Sequence, residues 1–124
     1  MPPLNFYPQF ADQVESGQKL QSIRKIGGIP WKVGDKAHLF TGLRTKACRK
    51  LGVGVVADIV RVAIAEHVLW VDQDFFTQWR SFDKFAQADG FSHWNEMTDW
   101  FREIHGLPFH GVLIRWELEE QPNE

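Results

Sequence analysis

The chain reads as an α+β protein, a mainly antiparallel, curled sheet flanked by short helices. Runs of alternating or β-branched apolar residues recur at Lys36 to Thr41, Val53 to Ile64 and Val112 to Leu118. Two segments with apolar residues at three- and four-residue spacings sit together ahead of the last of these runs. Glycines within and between the extended segments suit the sharp bends of a small barrel, although alternation fits an open sheet equally well.

The elements follow in order. Pro8 to Glu15 predicts a short helix: Pro8 suits a first turn, Phe10 and Val14 are four apart, and Gly17 suits a left-handed cap. Gln21 to Lys25 reads as extended, and Gly27 to Gly34 as a loop by its glycines and proline. Lys36 to Thr41 is a strand with Ala37 and Leu39 on one side and His38 and Phe40 on the other. The basic loop GLRTKACRKLG comes next. Val53 to Ile64 is the principal strand, with a bend expected near Gly54, and Val68 to Val71 is its partner. Between Asp74 and Ala88, Phe75, Phe76, Trp79, Phe82 and Phe85 fall at helical spacings, and Asp89-Gly90 ends the run. Ser92 is placed to cap a second helix with Trp94, Met97, Phe101 and Ile104 on one face, stopped by Gly106 and Pro108. In the final strand Val112, Ile114, Trp116 and Leu118 alternate with Leu113, Arg115 and Glu117, and the tail QPNE is expected to be loose.

With 124 residues and no linker, repeat or low-complexity segment, the whole chain, 1–124, is expected to form one domain. Six Trp and ten Phe suit a core filled with large rings and a stacking pocket within it. The single cysteine, Cys48, excludes an internal disulfide and points to a reducing compartment. There is no membrane-length apolar run, and MPPLNFYPQF lacks the pattern of a signal peptide, so a cytoplasmic protein without membrane contact is expected. The five histidines show no HxxH or HExxH spacing, and neither a P-loop nor GxGxxG is present, so no metal and no nucleotide cofactor is expected.

Charge is unevenly spread. Between Gln18 and Lys50, nine Lys and Arg stand against one acid, Asp35, while the chain as a whole has a net charge of −2. Such a segment fits an anionic ligand, or a solvated face balancing an acidic one. Within it, ESGQKLQSIRK sets Lys19 three residues before Ser22 and Arg24 two after. A serine near a lysine is a possible nucleophile and base, provided that burial or neighbouring cations lower the amine from its usual pKa of about 10.4. Positions three apart in a strand face opposite ways, so Lys19 must lie just before the strand or at a bend. Spacing alone favours ordinary surface polar residues. Asp89 in ADGF reads by itself as a helix-ending turn. Arg44 and Lys46 in the basic loop are candidates for phosphate contacts, and Trp31, Trp79 and Phe91 for stacking a base.

Together these residues resemble the ASCH domain family of the PUA-like superfold. The likeness rests on FADQVESG, on GQKLQSIR, which is similar to the family's G-x-K-x-x-[T/S]-I-R signature, on WKVGDKAHLFTG with its strand-opening GD turn, and on ADGF. GLRTKACRKLG resembles the basic loop of a phage and bacterial branch, and the match runs from about residue 5 to 118. The resemblance implies a small PUA-like mixed β-barrel with a cleft for nucleotides or RNA. In the family's small bacterial amidohydrolases, which deacylate N4-acylcytidine, the signature lysine accepts a proton, the hydroxyl residue attacks, and an acid donates a proton. Carried over, Lys19 is the base, Ser22 the nucleophile, Asp89 the donor, and Arg24 a substrate ligand beside Trp31, Arg44, Lys46 and Phe91. Ser22 stands where Thr is usual and keeps the hydroxyl; Asp89 stands where Glu is usual, one methylene shorter. The implied partner is a modified cytidine nucleoside such as N4-acetylcytidine, or RNA. The alternatives are a non-catalytic RNA-binding module and, behind it, a ribonuclease.

Overall fold

The computed structural model describes residues 3–25, 31–71, 74–76 and 79–119. Seven strands and three helices follow one another: β1 (Pro3–Phe6), α1 (Pro8–Ser16), β2 (Gln21–Lys25), β3 (Lys36–Thr41), β4 (Arg49–Ala65), β5 (Val68–Val71), β6 (Asp74–Phe76), α2 (Trp79–Ala88), α3 (Trp94–Ile104) and β7 (Phe109–Leu118). The expected α+β class is the observed one, with a single mixed, seven-stranded sheet.

The 17 residues of β4 organise that sheet. Its first part pairs with β3 and its last four residues with β5, both along one edge, while β7 runs antiparallel along the other from Gly54↔Leu118 to Ile64↔Phe109. β2 extends the sheet beyond β7, and β1 extends it beyond β3 as the one parallel neighbour. Among the described residues no ladder joins β1 to β2, so the curl stays open at that seam.

Two irregularities bend β4: Leu51 is extra opposite the Leu39/Phe40 step, and Ala57 is extra opposite the Trp116/Arg115 step. The bend expected near Gly54 lies on either side of it. Gly54 has another use, since a Cβ there would stand 2.7 Å from Trp116 Cδ1, so the indole lies directly on the backbone. The core joins Leu39, Val56, Ile64 and Leu113 of the sheet to Phe10 and Val14 of α1 and to Met97 and Phe101 of α3.

Other boundaries move for identifiable reasons. β1 is unexpected, because three prolines surround its short Leu4-Asn5-Phe6 alternation; Leu4 and Phe6 are buried and Asn5 is not. The aromatic run expected as one helix from Asp74 begins with a short strand, β6, and turns helical at Trp79. The cap of α3 is His93, whose Nδ1 accepts the Glu96 N–H at 3.2 Å; Ser92 instead gives its own N–H to the Glu96 carboxylate. Ile104 is 43% exposed, and Thr98 takes the buried place beside Met97 and Phe101. Leu113 is buried along with its neighbours Val112 and Ile114, so β7 is covered on both faces there and the expected alternation is lost. The first half of the Gly27 to Gly34 loop, the QPNE tail and the Phe75, Phe76 and Trp79 side chains lie outside the described residues.

Candidate active site

The open seam between β1 and β2 leads into a cavity of about 260 Å³. Ser22 and Arg24, two apart on β2, both line it. Lys19 lies in the irregular stretch between α1 and β2, where its N–H donates to Gln13 O at 2.9 Å. Before the strand begins, the alternation rule does not separate Lys19 from Ser22. Asp89 follows α2 directly: its N–H donates to Phe85 O and Ala86 O, and Gly90 continues the turn at φ +100°. The helix-ending turn and the candidate acid are therefore the same structure.

Lys19 and Asp89 meet out of water, 3% and 4% exposed. Lys19 Nζ donates to the Asp89 main-chain oxygen at 2.5 Å and lies 3.4 Å from Oδ1. Gln21 Nε2 donates to the same Oδ1 at 3.4 Å, and the ammonium sits 4.9 Å from the centroid of the Phe10 ring. Burial pushes the lysine below the usual range; Asp89 opposes that, and Arg24 adds to it. Burial likewise pushes the carboxyl up, against the pull of Lys19, Gln21 and Arg24. Each group is thus moved toward its uncharged form, the displacement that acid–base chemistry near neutral pH requires.

Ser22 Oγ accepts from Arg24 Nε at 3.0 Å, and Arg24 Nη2 donates to Asn5 O at 2.8 Å, bridging the seam. The guanidinium lies 5.1 Å from the Phe6 ring centroid. No hydrogen bond joins Lys19 Nζ to Ser22 Oγ; they share a cavity, each already held by another partner. The wall opposite β2 is aromatic. Tyr7 packs edge-on to Trp100 at 5.5 Å, Phe10 to Phe91 at 5.3 Å, and Phe91 lies 5.7 Å from Trp100.

Five of the eight expected site residues, Lys19, Ser22, Arg24, Asp89 and Phe91, line this cavity. Trp31 does not: it is 8% exposed and packed in the core. Arg44 and Lys46 stand exposed on the loop between β3 and β4, outside the cavity wall. That loop is nevertheless tied to the site, since its Leu43 N–H donates to Asn5 Oδ1 at 3.0 Å. The basic surplus is partly internal, with Arg49 bonded to Glu15 and Asp12, and Lys36 to Glu119. Lining residues not anticipated include Asn5, Tyr7, Lys25, Trp100 and His105. The Leu4/Phe6 alternation was the available signal for the first of these, and proximity to the signature for Lys25.

Among the described residues no three His, Cys, Asp or Glu side chains gather as a metal site requires, and no helix is long and apolar enough to cross a membrane. No family model matches the chain, and no curated protein matches it significantly. A solved structure does: the crystal structure of a mutant form of ZmASCH from Zymomonas mobilis matches with a TM-score of 0.57 at 14% identity, covering 96% of this chain and 68% of that one. At that identity the likeness is one of fold, and the chain has a small, mixed α+β, ASCH-like architecture.

Proposed function

We propose that the protein is an amidohydrolase that removes the acyl group from N4-acylated cytosine nucleosides such as N4-acetylcytidine. The observation that carries this is the buried Lys19–Asp89 pair in one cavity with the Ser22 hydroxyl and the Arg24 guanidinium. A volume of about 260 Å³ falls just below the usual range of drug-sized pockets, about 300–1,000 Å³, and rings at its wall suit a flat base.

Lys19, as the free amine, takes the Ser22 proton, and Ser22 Oγ attacks the acyl carbonyl. In the resting arrangement Asp89 holds Nζ, so the transfer follows a turn of Nζ away from the carboxyl oxygen or passes through one water. The tetrahedral oxyanion forms beside the Arg24 charge, whose Nε fixes the Ser22 oxygen. The C–N bond breaks as Asp89 delivers a proton to the cytosine amine, leaving an ester on Ser22. The proton that Lys19 took then passes to Asp89 beside it, which restores the resting pair. Water attacks the ester as Lys19 takes its proton, and that proton returns to Ser22 Oγ as the carboxylic acid leaves.

Incubation of the protein with N4-acetylcytidine, followed by chromatography, is expected to yield cytidine. Ser22→Ala and Lys19→Ala are each expected to lower kcat by about 10²–10⁴-fold, the range for loss of a proton-transfer or nucleophilic group. Variants that cleave as fast as the parent would overturn the assignment. A second function class, RNA binding without cleavage, draws on the exposed Arg44 and Lys46 in a loop tied to the cavity wall. It predicts RNA affinity that falls steeply with salt and is indifferent to Ser22→Ala.

A further inference from the structure

The cavity holds more positive charge than its own acid balances. Lys19, Arg24 and Lys25 line it against Asp89 alone, and Asp89 is already committed to Lys19. Two surface arginines find carboxylates: Arg49 bonds Glu15 and Asp12, and Arg102 bonds Glu66 and Asp99. Arg24 does not. Its Nε and Nη2 go to neutral oxygens, the Ser22 hydroxyl and the Asn5 carbonyl, and among the described residues it forms no ion pair. Lys25, exposed at the end of β2, forms no ion pair among the described residues.

At the same rim stands His105, its ring packed on Phe109 at 4.9 Å and on Trp100 at 5.8 Å. Partial burial holds its imidazole below the usual range, and the Lys25 charge adds to that effect. The field of Lys25 is therefore felt at the cavity wall and is not cancelled there. The Asp89 charge reaches the Arg24 guanidinium but is already shared with Lys19, and a largely buried cation without a carboxylate of its own is costly to a fold unless a ligand brings one. Two cations without an ion pair of their own among the described residues match the charge of about −1.5 to −2 on a phosphate monoester.

We propose that the ligand is a nucleotide: its base lies among the rings of Tyr7, Phe10 and Trp100, and its phosphate monoester sits on the Lys25 ammonium, within reach of the Arg24 charge and beside His105. The base assignment rests on the cytosine reading above; the phosphate goes beyond it, naming the charged group that the substrate carries.

Calorimetric titration at neutral pH and fixed ionic strength tests this with four probes: cytidine, cytidine monophosphate, ribose phosphate, and a short oligocytidylate lacking a terminal phosphate. Cytidine monophosphate is expected to bind about tenfold or more tightly than cytidine, the effect of one charge-assisted contact. The ratio is expected to shrink to about twofold or less in Lys25→Ala and to recover in Lys25→Arg. A ratio near one in the parent, or a ratio that survives Lys25→Ala, overturns the proposal. So does tighter binding of the oligonucleotide, which would assign the charge to the diester of a polymer. Lys25-dependent binding of ribose phosphate without binding of cytidine keeps the phosphate site and removes the cytosine assignment. Equal binding of cytidine and its monophosphate does the reverse.

Discussion

Lys19 and Asp89 together carry one proton whose position decides what the cavity can do. With the proton on the carboxyl, the lysine is a base and the aspartate an acid; with it on the amine, the two form an ion pair. Both arrangements have the same net charge, so activity is expected to follow a bell-shaped pH profile whose limbs belong to the pair. Acid loads both groups with protons and alkali strips both. Asp89→Asn makes the assignment testable: it removes the charge and hydrogen bond that hold the Lys19 proton in place, so the lysine is expected to titrate lower than in the parent. NMR of the Lys19 side chain reads that shift, and an unchanged or raised value would contradict the pairing. The sequence made Lys19, Ser22 and Arg24 legible because they fall within eleven residues at telling spacings. Their partner 70 positions away was legible only through ADGF, and the Arg24–Ser22 bond through neither.

Two short connections deliver these groups, the turn after α1 and the turn after α2, and they touch. Gly90 is where they meet: a Cβ there would stand 2.9 Å from both Gln13 Oε1 and Phe10 Cδ1 and 3.2 Å from Lys19 Cδ, at φ +100°. Gly90→Ala is expected to lower unfolding stability by about 1–3 kcal/mol and to lower turnover further by displacing Asp89. Denaturant titration and the deacylation assay measure the two effects separately. Elements with a clear period were readable, as α1, β3 and the last strand attest. β1 was not, because a four-residue strand among prolines carries too little alternation, and its hydrogen bonds come from a parallel partner more than thirty residues away. The start of α2 was misplaced because aromatic residues at helical spacing also suit a strand when β5 offers it an edge.

For the whole molecule, the site works against stability. The fold holds the Asp89 proton more tightly than the open chain does, so that contribution is full below the usual carboxyl range and is lost as pH rises through its raised value. It holds the Lys19 proton less tightly, so that contribution is full above the usual lysine range and is lost as pH falls through its lowered value. In the neutral range the two effects act in the same direction, against folding. Replacing the pair together, Lys19→Met with Asp89→Asn, is expected to leave stability unchanged or raise it by up to about 4 kcal/mol while abolishing turnover. Guanidinium unfolding at neutral pH would contradict this if the double variant were clearly weaker than the parent. The charge surplus of residues 18–50 was visible in composition, but its division into internal pairs and unmatched cations needed the folded chain, because Arg49 finds its acids on α1.

If the ligand is the cytosine base proposed above, the gap between β1 and β2 also bears on which heterocycles would be accepted. Each of these strands spends one margin on a neighbour and turns the other toward the opening, so amide donors and carbonyl acceptors face whatever lies between them. Selection made by the polypeptide itself survives side-chain replacement. Random mutagenesis at Asn5 or Ile23 would then change how fast a base analogue is processed more readily than which analogue is admitted.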